Sequence, residues 1–263
     1  MGEAIVVTSG KGGAGKTTLS ANLGAALALE GHKVLLVDTD IGLRNLDVLL
    51  GFEDKIVYDL VDICTGNCDA KKATIKDKRF ENLYFVPASQ AKEKDAITPL
   101  QMRNFISEVK EEYDYIIIDC PAGLEQGFEN AVALCDRAIV VAMPEMTSVR
   151  DADRIIGLIE QRGIEKTELV INRMRKSLAD KGVMLPVEEI LEILAVNLIG
   201  VVPEDERIIA AANCGTPCVL DEKSMAGKAY KNIAKRVKGE EVSLLDISDK
   251  RNVFVRIIEA IKN

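Results

Sequence analysis

The chain has 263 residues, 48% hydrophobic and 4% aromatic, with no Trp. That is enough apolar material for one large α/β domain with a core of Val, Ile, Leu and Ala rather than aromatic rings. A net charge of −8 excludes a general attraction to nucleic acid or anionic lipid, so binding to either has to come from a local basic patch.

Ala4-Ile5-Val6-Val7 predicts a strand over 3–8. Gly10-Lys11-Gly12-Gly13-Ala14-Gly15-Lys16-Thr17-Thr18 follows, and a helical pattern begins at Leu19. The context is strand–loop–helix, and the spacing Gly10-x4-Gly15-Lys16-Thr17 is that of a phosphate-binding loop. Glycines let successive backbone N–H groups turn inward toward phosphate oxygens, and the helix N-terminus adds partial positive charge. Lys16 is expected to reach the β- and γ-phosphates and the Thr17 hydroxyl to ligate Mg²⁺. Lys11 stands where the ordinary motif demands nothing. It is either a solvated surface lysine or a second charge aimed at phosphate, and spacing alone leaves both open. The lone histidine, His32, follows Gly31 and is expected to help cap the first helix.

The strand predicted over 33–38 ends in Asp38-Thr39-Asp40, placing two carboxylates at the carboxyl edge of a parallel sheet, where ligands bind in such folds. Residues 49–81 are less regular. Tyr58–Ile63 reads as helical, and Lys71 through Arg79 as a solvated, charged connection. After a strand over 83–87, Thr98-Pro99-Leu100-Gln101 combines a Thr cap, Pro at the first helical position and Gln three residues after the cap. Met102, Phe105, Ile106, Val109 and Tyr113 then share one face, which predicts core. Tyr115-Ile116-Ile117-Ile118-Asp119 is an apolar strand ending in one acid. It has the form of a Walker B strand, whose Asp orients Mg²⁺, usually through water. Gly123 beyond it suits a turn sensing the γ-phosphate.

Strands over 137–142, 167–172 and 198–202 bring the apolar runs to seven. The alternation predicts a P-loop NTPase-like α/β fold: a mostly parallel seven- or eight-stranded sheet with helices on both faces, plus a C-terminal amphipathic helix. Residues 1–238 form the expected domain, 239–252 a linker and 253–263 the terminal helix. Residues 223–238 carry six cations and no acid beside an apolar stripe, so they read as a helix packed on the domain. Their lysines are either a solvated face or a patch for a partner, lipid or DNA. In 253–263, Phe254, Ile257, Ile258 and Ile261 follow i, i+3, i+4, i+7 on a locally positive segment. Such a helix suits a membrane interface, the alternative being docking on its own domain. Burying those four side chains gives about 6–8 kcal/mol of gross transfer energy. Ordering the segment offsets most of it. Two tails held together would gain ~10²–10⁴-fold in avidity.

Six cysteines are present: Cys64, Cys68, Cys120, Cys135, Cys214 and Cys218. With no leader ahead of the first strand and no 18-residue apolar run, they read as reduced thiols of a cytoplasmic protein. Cys64/Cys68 and Cys214/Cys218 have a permissible spacing for four thiolate ligands, but their flanking sequences differ and free thiols are the expectation.

The string from Lys11 to Thr18 resembles the deviant Walker A loop of the MinD/ParA family of ATPases. Asp38 through Asp47 resembles that family's switch I segment, closer to its septum-site determining members than to its DNA-partition members. Asp119-Cys120-Pro121-Ala122-Gly123 resembles its switch II. The resemblance covers nearly the whole chain and is loosest at 49–81. It implies that Lys11 reaches across a dimer to the partner's nucleotide, in the manner of an arginine finger. It implies that Asp38 supports the Mg²⁺ shell and Asp40 positions the attacking water. Val170-Ile171-Asn172-Arg173 resembles the segment whose Asn recognises adenine, and Val201-Val202-Pro203-Glu204-Asp205 resembles the turn flanking the base, so Asn172, Pro203 and Asp205 join the loop as nucleotide-binding candidates. An amide offers both a donor and an acceptor to adenine's N6/N1 edge, and no Asn-Lys-x-Asp string for guanine is seen.

What the resemblance implies is a slow, partner-stimulated ATPase using ATP and Mg²⁺. It would dimerise when ATP-bound, sit on the cytoplasmic face of the membrane through 253–263, and recruit a division inhibitor of the Min system. Nucleic acid is not an expected partner. Alternatives are a partition ATPase using the 223–238 lysines on DNA, or a regulator of flagellar placement.

Overall fold

The computed structural model describes residues 1–93, 95–123 and 126–247. β1 (Glu3–Thr8) leads through the glycine loop into α1 (Lys16–Leu29), then β2 (Val34–Asp38). Next come α2 (Leu46–Leu50), α3 (Leu60–Cys64), α4 (Ala70–Ala73), β3 (Ile75–Lys76) and β4 (Leu83–Val86). The middle holds α5 (Pro99–Val109), β5 (Tyr115–Asp119), α6 (Gln126–Ala131), β6 (Arg137–Ala142) and α7 (Met146–Gln161). β7 (Lys166–Met174), α8 (Lys176–Ala179), α9 (Val187–Leu194), β8 (Asn197–Pro203), α10 (Glu206–Asn213) and α11 (Met225–Val237) complete the described chain.

The strands form one eight-stranded sheet in the order β3-β4-β2-β5-β1-β6-β7-β8. All neighbours are parallel except β3, which runs antiparallel to β4 at the edge. β2 and β6 are buried along their whole length, the signature of a sheet covered on both faces. Alternate residues feed two cores. Val6, Phe105, Ile106 and Ile155 share one face, and Val7, Leu23, Leu27 and Ile233 the other. The strand order reverses at β1, with β5 on one side and β6 on the other, so the crevice at its carboxyl end receives the glycine loop.

The seven apolar runs are the seven parallel strands, and β3 is the eighth. It arises inside the stretch read as a solvated connection. Ala70 and Ala73 of α4 and then Phe80 are buried there, and Arg79 is engaged by long-range hydrogen bonds. α5 forms with the expected capping box, Thr98 Oγ1 accepting from the Gln101 N–H. It stops at Val109, so Tyr113 lies beyond the helix, edge-on to the Tyr84 ring and under the Lys33 ammonium. His32 caps α1 only through its backbone N–H to the Leu27 carbonyl, while its ring meets Tyr115 edge-on and lies 3.9 Å from Asp114.

α11 packs on α1 and β8 as an amphipathic helix. Two of its end cations are not a free face. Arg236 donates to the Val242 and Ile199 carbonyls, and Lys238 pairs with Glu30 and Glu240. Among the described residues no helix is long and apolar enough to cross a membrane. The expected terminal helix, 253–263, and linker residues 248–252 lie outside the described residues.

Candidate functional site: a nucleotide pocket at the carboxyl edge of the sheet

The glycine loop turns from β1 into α1 through Gly13 (φ 77°) and Gly15 (φ 102°). Gly15 stands at the N-cap of α1 and no side chain caps it, so the first-turn N–H groups point to where an anion binds. Lys16 is buried, its Nζ donating to Ser9 Oγ at 3.1 Å, and Ser9 in turn donates to the Lys11 carbonyl at 2.8 Å. The cation is thus folded back along the loop it serves.

β2 and β5 are neighbours, and their register sets Asp38 opposite Asp119. Both carboxylates are buried. Burial, then the charge of Asp119, pushes Asp38 well above the carboxylate range, against the opposing pull of the Asp40 and Leu46 N–H groups. Burial likewise raises Asp119 to about 6, although hydroxyls of Thr17 and Ser20 and the Lys16 charge pull it down. Two stacked acids that oppose each other's ionisation, with a Thr hydroxyl beside them, are a donor set for a hard divalent cation, so these residues fit Mg²⁺. Thr39 ties the segments together, its N–H and hydroxyl both reaching the Asp119 carbonyl, at 3.1 and 2.6 Å. Asp40 follows, its N–H donating to Asp38 Oδ1 at 2.9 Å. It lines a narrow cleft with Ile41, Pro121 and Phe128, between the two segments that leave β2 and β5.

Lys11 is half-exposed and lies 3.7 Å from Glu145, the residue that precedes α7. It leans along its own surface rather than into its own loop.

Asn172 arrives from β7, where pairing with β8 is irregular and Arg173 takes φ 57°. The amide is buried. Its Nδ2 donates to the Ala14 carbonyl at 2.8 Å, and a Cβ on Gly15 would lie 2.1 Å from that nitrogen, so this contact requires glycine. With the amino group fixed on Ala14, Oδ1 is a buried acceptor with no hydrogen-bond partner among the described residues. An exocyclic amine satisfies it; a ring carbonyl opposes it. Pro203 ends β8 opposite Met174. Asp205 caps α10 through the Arg207 N–H and accepts from Ser224 Oγ at 2.8 Å and the Ala226 N–H at 3.1 Å. Burial opposes its ionisation, but these donors together hold Asp205 below its ordinary value. Its carboxylate is committed to the scaffold by these three donors.

All six thiols are unbridged. Cys64 packs against one core and Cys218 belongs to the other, on opposite faces of the sheet, so the two pairs do not converge.

A family model described as an AAA domain matches residues 2–173. The septum site-determining protein MinD of Bacillus subtilis is 55% identical over 246 residues, 93% of this chain and 92% of that protein. The chain belongs to the MinD family. Among solved structures, the MinC:MinD cell division protein complex of Aquifex aeolicus superposes with a TM-score of 0.88 at 45% identity, over 94% of this chain and 100% of that one. MinD of Pyrococcus horikoshii, solved with Mg-ADP, gives 0.81 at 32%, over 90% and 96%. Membership in the MinD family makes this chain an ATPase by kind and agrees with the affinity read from Lys11–Thr18 and Asp38–Asp47.

Ser9, Ser20 and Thr39 are the site residues that sequence reasoning passed over in this MinD-family chain. Ser20 Oγ lies 2.9 Å from Asp119 Oδ1 and 3.0 Å from the Lys16 carbonyl oxygen, joining α1 to β5. The signal for it was a hydroxyl inside an Ala- and Leu-rich helix, one turn after Lys16.

Proposed function

We propose that this MinD-family chain is a Mg²⁺-dependent ATP switch that places the division septum by going to the membrane as a dimer and recruiting a division inhibitor there. The observation that carries the nucleotide reading is the orphan Asn172 Oδ1 beside a phosphate loop and two stacked carboxylates. The adenine amine meets Asn172. The loop N–H groups and Lys16 hold the phosphates, with Gly10, Gly12, Gly13, Ala14, Gly15 and Thr18 supplying backbone. Thr17, Asp38 and Asp119 hold the metal. When bound, Mg²⁺ supplies charge neutralisation on the phosphate oxygens. Asp40 orients the water that attacks. Lys11 leaves Glu145 and reaches the nucleotide of a second copy, so hydrolysis, stimulated by a partner protein, separates the pair.

Membrane residence follows from two copies of 253–263 acting together on anionic lipid, each weak alone. The Aquifex aeolicus relative solved with MinC supports a division-inhibitor partner. The engagement of Arg236 and Lys238 inside the fold leaves fewer cations on 223–238 for DNA, which weighs against a partition role. Cosedimentation with anionic vesicles tests the reading. ATP is expected to bring the chain down with the vesicles and ADP to leave it in solution; equal pelleting in both would reject nucleotide control.

A further inference from the structure

Arg79 lies in the tight turn between β3 and β4, where sequence alone gave it no role. Asp77, 1% exposed, grips it in a fork: Nε to Oδ1 at 2.9 Å and Nη2 to Oδ2 at 2.6 Å. The remaining guanidinium protons go elsewhere. Nη2 donates to the Leu50 carbonyl at 2.7 Å, and Nη1 to the Gly215 carbonyl at 2.5 Å and Thr216 Oγ1 at 3.3 Å. Leu50 is the last residue of α2, and Gly215 lies just past the end of α10. One planar cation therefore satisfies carbonyls at the carboxyl ends of two helices, where its charge also suits both dipoles.

These helix ends touch. Gly51 (φ 67°) and Gly215 (φ 59°) approach so closely that a Cβ on Gly215 would lie 2.7 Å from Gly51 Cα. Followed outward, α2 begins at Leu46, whose N–H donates to Asp38 Oδ2 at 3.2 Å. α10 is capped by Asp205, the last residue of the 203–205 turn. Each helix is short, about 7.5 and 12 Å at 1.5 Å per residue, and stiff on that scale.

We infer that Arg79 is a positioning residue that locks α2 to α10, so that the metal-side carboxylate Asp38 and the base-side turn Pro203–Asp205 respond to nucleotide as one frame. The inference rests on the Mg-ATP reading above. A lysine at this position delivers a point charge to one carbonyl instead of a fork to both.

Hydrogen exchange on the full chain tests it, comparing Mg-ATP with ATP plus chelator. In the unaltered chain Mg²⁺ is expected to slow exchange over 46–50 and 206–213 together. In Arg79→Gln the slowing over 10–18 persists, while the Mg²⁺-dependent part over 206–213 falls by about 5-fold or more, the low end of ordinary coupling between sites. Arg79→Lys falls between. Gly215→Ala, which keeps Arg79 but forces the helix ends apart, is expected to give the same loss should Arg79→Gln fold poorly. Unchanged Mg²⁺-dependent protection over 206–213 in a folded Arg79→Gln or Gly215→Ala chain overturns the inference. If nucleotide slows nothing over 10–18 in the unaltered chain, the nucleotide reading fails first and takes this one with it.

Discussion

Asn172 donates its amide proton to the Ala14 carbonyl at 2.8 Å, across 158 residues of sequence, and that bond decides which of its two polar ends is left for a ligand. The amide cannot flip without setting its oxygen against the Ala14 oxygen. Asn172→Ala is expected to cost about 1–3 kcal/mol of preference for ATP over the 6-oxo nucleotide ITP, because the discriminating acceptor is gone. Competition binding against a fluorescent ATP analogue measures it. An undiminished ATP preference would assign base recognition elsewhere.

The Lys11–Glu145 pair sits in water at 3.7 Å and is worth at most about 1 kcal/mol, too little to hold Lys11 at home. Lys11→Ala is therefore expected to keep nucleotide affinity within about 3-fold, since the loop N–H groups and Lys16 remain, while losing ATP-dependent dimerisation. Ultracentrifugation with ATP and a hydrolysis-dead background reads this directly. Dimers of the variant at the concentration where the unaltered chain dimerises would remove Lys11 from the interface.

Asp119 is raised from its ordinary 3.8 to about 6, and Asp38 is raised as well. A carboxyl whose folded pKa is raised binds its proton more tightly folded than unfolded, so the metal-free chain gains stability as pH falls through about 6 toward 4. Mg²⁺ needs the ionised forms, so its contribution to nucleotide binding weakens over the same fall. Titrating Mg²⁺-dependent nucleotide affinity from neutral pH down through this range should show the loss. A flat profile would mean that the two acids do not carry the metal.

Ser20 joins α1 to the Asp119 carboxylate in a fully buried contact. Ser20→Ala leaves that acid short of a donor, an expected loss of about 1.5–3 kcal/mol, read as a lower melting temperature and weaker Mg²⁺ binding. A variant that melts lower but binds Mg²⁺ normally would make Ser20 a packing residue only.

Deleting 253–263 is expected to abolish ATP-dependent vesicle binding while leaving the melting transition of the domain in place, because the two described cores close without that segment. Full vesicle binding by the shortened chain would move lipid contact to the folded domain.

Seven of eight strands and the phosphate loop were legible because their signals are local: a β-branched run, a glycine spacing, an acid closing a strand. Lys11 read two ways because its partner, Glu145, is 134 residues away. The Asp77–Arg79 turn read as solvated charge for the same reason, since its targets are at Leu50, Gly215 and Thr216. Asp205 was a nucleotide-binding candidate only through the resemblance of 201–205 to a turn flanking the base. Only the three-dimensional return of Ser224 and Ala226 shows the carboxylate turned toward α11. Tyr113 kept the helical spacing of α5 after the helix itself had stopped.

Arg236 fastens Val242 to Ile199, near the amino end of β8, and the glycine loop leaves the carboxyl end of β1. In a parallel sheet those are opposite rims. Arg236 therefore holds the root of the segment leading to 248–263 at the rim away from the phosphate loop, so ligands can come and go at the loop without disturbing that grip.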